Sequence, residues 1–456
     1  MSSIFSDIRD RSASAAVSLQ KSMSPLKFMA IIGIAVGLLA GFGAALLKDL
    51  ITWLTDFVEG IFPPDQFNVL LLFLPVLGVL LCGIYSRYIV KDDMEFSCER
   101  IAGYLKSGNY RLPRHLCYAP IIACSLTLGL GGSAGSEGPI AYAGAGIGSN
   151  LGKYLRLPPD IMRTLVIIGA AAGIAGIFKA PIGGAMFALE VLAMPMTTVG
   201  VIALVFSCLA AGCMAYAWSG FTIDVAYLPK NFFDPGVTGG VALLGLFCGL
   251  YSIYYSYMSV KTENVFKKIR NPWVKNLISG ALIGVMLFVF PVLYGEGYGV
   301  LNEVINGNDG QLLRDTRFFG NDGPWMLILF VGCVVLIKSV ATATTNSGGG
   351  VGGDFAPTLF AGCMAGMLFA YASNTIFGTS LDVANFALFG MAGVMSGALQ
   401  APLMGIFLTQ EMVGDFAMFF PLTVCALISF ATVRLLHGHF RVSFRATWLH
   451  GLVKKL

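Results

Sequence analysis

An all-α membrane protein made of two related halves is the fold class this sequence predicts, and three observations predict it. The chain of 456 residues is 56% hydrophobic and only 12% charged, about half the charge of an ordinary soluble domain. Its apolar stretches alternate between spans long enough to cross a bilayer and short pieces broken by glycine and proline. Two of its segments, offset by 221 residues, align without a gap.

Taken in order, residues 1–27 carry Arg9, Arg11, Lys21 and Lys27 with Asp7 and Asp10 among them and no long apolar core. They read as a cytoplasmic segment rather than a signal peptide. Apolar stretches follow at 28–47, 69–90, 239–257, 277–294, 325–337 and Phe416–Leu436. Those near the roughly 20 residues that a hydrocarbon core demands are expected to cross it. The pieces at 181–194 and 384–397 are short and interrupted, which predicts half-crossings whose open backbone must face protein or a water-filled cavity. Broken helices of that kind point to transport. The tail after Leu436 carries Arg441, Arg445, Lys454 and Lys455. Basic residues at both ends are expected to hold both termini in the cytoplasm, with an even number of crossings between them.

The repeat is explicit. Residues 169–191 read GAAAGIAGIFKAPIGGAMFALEV, and residues 390–412 read GMAGVMSGALQAPLMGIFLTQEM. Gly169 pairs with Gly390, Ala171 with Ala392, Gly176 with Gly397, Ala180 with Ala401, Pro181 with Pro402, Gly184 with Gly405, and Glu190 with Glu411. Upstream of each copy lies a glycine-rich turn ending in proline, GGSAGSEGP at 131–139 and NSGGGVGGDFAP at 346–357. The chain is therefore expected to comprise half-repeats at 28–220 and 236–436, a connecting loop at 221–235, and a segment at 437–456. Repeats of this type meet at a mid-membrane site made by discontinuous helices.

A helix-like run follows each turn, so each glycine cluster is expected at a helix N-terminus, with proline near the first helical position. The first N–H groups of a helix lack internal partners, and the peptide dipoles leave about half a positive charge there. Glycines let the backbone fold tightly enough to aim several N–H groups at one point. Two such termini, one from each half, would hold a small anion without a full cationic side chain. Close helix packing alone would also use small residues, but it explains neither the duplication nor the carboxylate, Glu137, in one copy. A carboxylate is itself an anion and can plug a site built for one.

These residues resemble the CLC chloride channels and chloride/proton antiporters. GSEGP looks like the family's G-K/R-E-G-P turn and GGDFAPTLFAG like its G-x-F-x-P turn, and the likeness runs through AGIFKAPIGGAMFALEV and MSGALQAPLMGIFLTQEM from about residue 30 to 450. The resemblance implies an inverted-repeat fold of many tilted and broken helices and a homodimer with one anion pathway in each protomer. By position, Glu137 matches the gating glutamate. Ser136, Glu137 and Gly138, with Asp354, Phe355 and Ala356, would then line the anion site.

Four positions depart from the family pattern. Phe96, followed by Ser97, stands where the family's serine contacts the anion. Val191 replaces the internal proton-transferring glutamate beside Glu190, so a proton path through Glu137, Glu190 and Val191 is broken at its last member. Phe444 takes the place of a tyrosine whose hydroxyl touches the ion. Asp354 is acidic where an apolar residue is usual, and it is expected to cap the helix by accepting backbone N–H groups. Lys179 and Lys338 are intramembrane charges whose partners the sequence does not name.

An intramembrane enzyme would need a nucleophile with its base or a metal cluster; HExxH is missing, and no pair of histidines accompanies an aspartate. No cofactor or metal is implied. Ten cysteines stand singly among apolar residues and read as small buried hydrophobes. The net charge of +4 is spread over tails and loops and marks no nucleic-acid surface. The expectation is transport of a small inorganic anion, chloride by default, in contact with lipid and gated by Glu137. Val191 favours uncoupled, channel-like flow; a chloride/proton antiporter and a fluoride exporter stay open as alternatives.

Overall fold

The computed structural model describes residues 22–61, 72–92, 98–221, 238–308, 312–313, 323–414 and 416–440. Phe96, Ser97 and Phe444 lie outside the described residues. The helices are α1 (Pro25–Ile61), α2 (Leu74–Ile84), α3 (Cys98–Ser107), α4 (Ala119–Gly129), α5 (Glu137–Tyr154), α6 (Pro159–Ile177), α7 (Pro181–Met186), α8 (Thr198–Trp218), α9 (Thr238–Lys267), α10 (Pro272–Val289), α11 (Tyr298–Ile305), α12 (Pro324–Ser347), α13 (Phe355–Phe377), α14 (Val383–Leu399), α15 (Pro402–Val413) and α16 (Phe419–Phe440). Among the described residues, eight helices are long and apolar enough to cross a bilayer.

Breaks fall where the sequence punctuates. Proline opens α7 and α15 within their first two positions, where its missing N–H removes no helical bond. The residues ahead of these prolines repeat the same backbone. Ala180 (φ −123°, ψ 82°) matches Ala401 (φ −129°, ψ 75°), and each follows a left-handed residue, Lys179 (φ 53°) and Gln400 (φ 55°). Wide π-turns at Tyr85–Val90 and Phe187–Val191 continue α2 and α7.

The described residues form two compact units, one drawn from residues 22–48, 98–122 and 138–221, the other from residues 49–61, 72–92, 123–137, 238–308, 312–313, 323–414 and 416–440. In the first, Gly33, Gly37 and Gly41 of α1 bear on the carbonyls of Ala203, Ser207 and Ala211 of α8. Small residues at four-residue spacing permit that approach where lipid supplies no hydrophobic drive between helices. The second unit repeats the device with Gly362 and Gly366 of α13 against Gly390 and Phe386 of α14.

Candidate functional site at the paired glycine turns

Residues 131–137 of the first glycine turn and the whole of the second belong to the second unit, where they are joined to one another. Gly135 N–H donates to Gly353 O at 3.0 Å, and Gly353 N–H donates to Gly135 O at 2.6 Å. Around this bridge the bonds come in matched pairs. Thr127 Oγ1 accepts from Val351 N–H at 3.0 Å, and Thr345 Oγ1 accepts from Ser133 N–H at 3.1 Å. Gly132 N–H closes on Thr127 O at 2.8 Å and Gly350 N–H on Thr345 O at 3.0 Å. Residues 127, 132, 133 and 135 thus correspond to 345, 350, 351 and 353, and each turn donates to the other what it accepts. That exchange is a local two-fold relation, as an inverted repeat requires.

The pairing makes each turn the entrance to a helix. Glu137 is the first residue of α5 and Phe355 the first of α13, with Pro139 and Pro357 in their first turns. Symmetry then breaks in the side chains, because Glu137 stands where its counterpart is Phe355. The Glu137 side chain is 0% exposed, and its Oε1 accepts the Ala356 N–H at 2.7 Å. A carboxylate from one repeat therefore sits on an N-terminal amide of the other repeat's helix, where the dipole favours negative charge. A Cβ at 135 would meet the Glu137 carboxylate, so this placement of the side chain suits glycine there.

Four buried polar atoms of the paired turns have no hydrogen-bond partner among the described residues, Ser136 Oγ and Glu137 Oε2 in the first turn and Asn346 Oδ1 and Ser347 Oγ in the second. Unsatisfied buried groups call for an explanation, and an acceptor beside a free donor suits a site that exchanges occupants. Lys338 from α12 is 0% exposed. Its ammonium donates to Ser133 Oγ at 3.0 Å and lies 4.6 Å from the centre of the Phe360 ring. Ser133 Oγ in turn donates to Leu293 O at 2.6 Å, which fixes its lone pairs toward Lys338.

One expectation is corrected. Asp354 occupies the N-cap position of α13 but makes no side-chain cap bond; Asn346 Nδ2 reaches its Oδ1 at 3.4 Å instead. Its backbone is helical, at φ −105° and ψ −1°, whereas a capping side chain usually rises from an extended residue. Glu190 and Val191 lie in the π-turn Phe187–Val191 of the first unit, with Val191 6% exposed. Lys179, in the same unit, lies over the Tyr216 ring at 5.5 Å.

The family model for the voltage-gated chloride channel matches residues 78–434. The chain belongs to this CLC family. A ClcB-like chloride channel protein of Ralstonia nicotianae is 29% identical to this CLC protein over 375 residues, 79% of the chain and 82% of the relative. An H(+)/Cl(-) exchange transporter, ClcA of Vibrio cholerae, is 27% identical over 68% of the chain and 65% of that transporter. Two solved structures share the fold. A slow cyanobacterial Cl-/H+ antiporter has a TM-score of 0.74 at 22% identity, covering 91% of this chain and 95% of that one. A CLC-type fluoride/proton antiporter has a TM-score of 0.73 at 23% identity, covering 90% and 96%.

One member of the site escaped the sequence reading. Glu296 Oε1 accepts the Ser136 N–H at 2.8 Å, although 160 residues separate the two. Its signal is the run GEGYG at 295–299. Like GSEGP, it sets a lone glutamate between glycines just ahead of a helix.

Proposed function

We propose that this CLC protein carries small inorganic anions, chloride first, across a membrane through a pathway gated by Glu137. One observation supports the reading above the others: a buried carboxylate accepts the Ala356 N–H at the start of α13, the place an anion would take. Protonation of Glu137, or rotation about its side chain, removes the charge or the plug and frees that amide. Backbone N–H groups hold an anion weakly and at several points, which suits an ion that must also leave. Ser136 supplies a free hydroxyl donor, and Gly138 and Phe355 flank the two helix starts. A homodimer with one pathway in each protomer, set in the inner membrane with both termini in the cytoplasm, completes the proposal.

Val191 carries no proton, so uncoupled flow is the first reading. Proton-coupled exchange is the second, favoured by the likeness to the ClcA exchange transporter; Glu190 or water would then deliver protons to Glu137. The test is chloride efflux from liposomes holding the purified protein, with external pH recorded while the chloride gradient is the only driving force. Efflux without proton movement supports the first reading. Stoichiometric proton uptake supports the second, and absence of chloride flux sinks both and directs the same assay to fluoride.

A further inference from the structure

We propose that Glu296 is a second carboxylate plug of the anion site, holding the backbone N–H of Ser136 as Glu137 holds that of Ala356. The proposal rests on the reading of this site as an anion pathway. Glu296 is set by its neighbours: Gly295 (φ 59°) and Gly297 (φ 89°) are both left-handed, a conformation that glycine adopts without strain. A Cβ on Gly297 would strike the Phe360 ring, so the loop is pressed against the ring that also lies under the Lys338 ammonium. From this loop the carboxylate reaches Ser136 N–H at 2.8 Å.

Lys338 is a buried cation bonded to Ser133 beside the bridged turns, where opposite charge attracts it to both carboxylates while the carboxylates repel each other. One cation thus faces two carboxylates, and each carboxylate occupies a backbone donor beside the bridged turns. An incoming anion meets like charge at both donors until both carboxylates are neutralised or moved. Glu296 is partly exposed and Glu137 is fully buried, so Glu296 is the one that solvent reaches first. Its departure would expose Ser136 N–H together with the unpartnered Ser136 hydroxyl, two donors on one residue.

The alternative role is charge balance for Lys338, which needs a carboxylate nearby but no contact with Ser136. Glu296→Asp separates the two, because aspartate keeps the charge and falls one methylene short of the amide. Chloride binding to the full-length protein is measured by isothermal titration calorimetry, and chloride efflux in liposomes, for wild type, Glu296→Gln, Glu296→Asp and Glu137→Gln. The plug predicts that both Glu296 variants bind chloride about tenfold more tightly, equivalent to about 1.4 kcal/mol, and conduct faster. Tighter binding by Glu296→Gln with wild-type affinity in Glu296→Asp would assign Glu296 to charge balance and overturn the plug. Wild-type affinity in both, with Glu137→Gln tightened, would overturn the plug while the pathway reading stands. Wild-type affinity in all three would overturn both. Should Glu296→Gln lose its monodisperse elution peak, Glu296→Asp decides alone, and wild-type affinity in it overturns the plug.

Discussion

At the scale of single residues, the proposed gate is a contest between a tethered anion and a free one for the same backbone donor. The Glu137 to Ala356 bond, 2.7 Å long and fully buried, is charge-assisted, and bonds of this class contribute about 1.5–3 kcal/mol. Replacing the carboxylate by the neutral, isosteric amide in Glu137→Gln is expected to raise chloride efflux about tenfold or more. Efflux equal to wild type would remove Glu137 from the gate. Lys338 answers to a different measurement. Its ammonium is fully buried and is attracted to both carboxylates, and stranding buried charges by removing one partner costs about 3–5 kcal/mol. Lys338→Met is therefore expected to lower the melting temperature, followed by size-exclusion after heating. An unshifted melting curve would mean that the carboxylates are balanced elsewhere.

At the scale of elements, the matched threonines are what hold the two helix starts together. Thr127 receives Val351 N–H, Thr345 receives Ser133 N–H, and each also donates to the carbonyl one turn back in its own helix, Ala123 O and Ala341 O, at 2.9 Å. Valine keeps the shape and removes the acceptor, leaving a buried N–H unsatisfied at about 1–3 kcal/mol. Thr127→Val and Thr345→Val should destabilise the protein by similar amounts, read as matching losses of melting temperature. A large loss in one and none in the other would show that the local two-fold relation is not carried into stability. The helix start itself can be tested through Ala356, which lies in the first turn of α13, where proline is tolerated. Ala356→Pro deletes the N–H that Glu137 holds and that an anion would take, so it should release the plug yet bind chloride more weakly than Glu137→Gln, and wild-type affinity would place the gate at another donor.

At the scale of the molecule, the membrane class, the repeat and the two glycine turns were legible because glycine and proline act locally and punctuate a sequence wherever they stand. Glu137 was legible for the same reason, as the glutamate that opens a helix inside one of the two paired glycine turns. The bond from Ser136 to Glu296 and the contact of Lys338 with Ser133 were not, since they join residues 160 and 205 apart in sequence and periodicity carries no trace of which buried charges will meet. Asp354 misled because its place before a helix resembles a cap, while its helical backbone turns the carboxylate to Asn346. Proton coupling through the proposed gate would be a property of the whole chain, since protons would have to reach Glu137 through whatever carriers the interior supplies. Val191, 6% exposed and next to Glu190, supplies none. Val191→Glu adds a titratable group at that point, and a carboxyl group that takes up and releases protons makes a buried relay possible. The expected outcome is that wild type moves chloride with no stoichiometric proton flow, and that Val191→Glu gains proton movement against the chloride gradient while Val191→Gln, equally polar but unable to carry a proton, does not. Equal proton movement in all three proteins would show that the relay bypasses residue 191 and that wild type is already an exchanger.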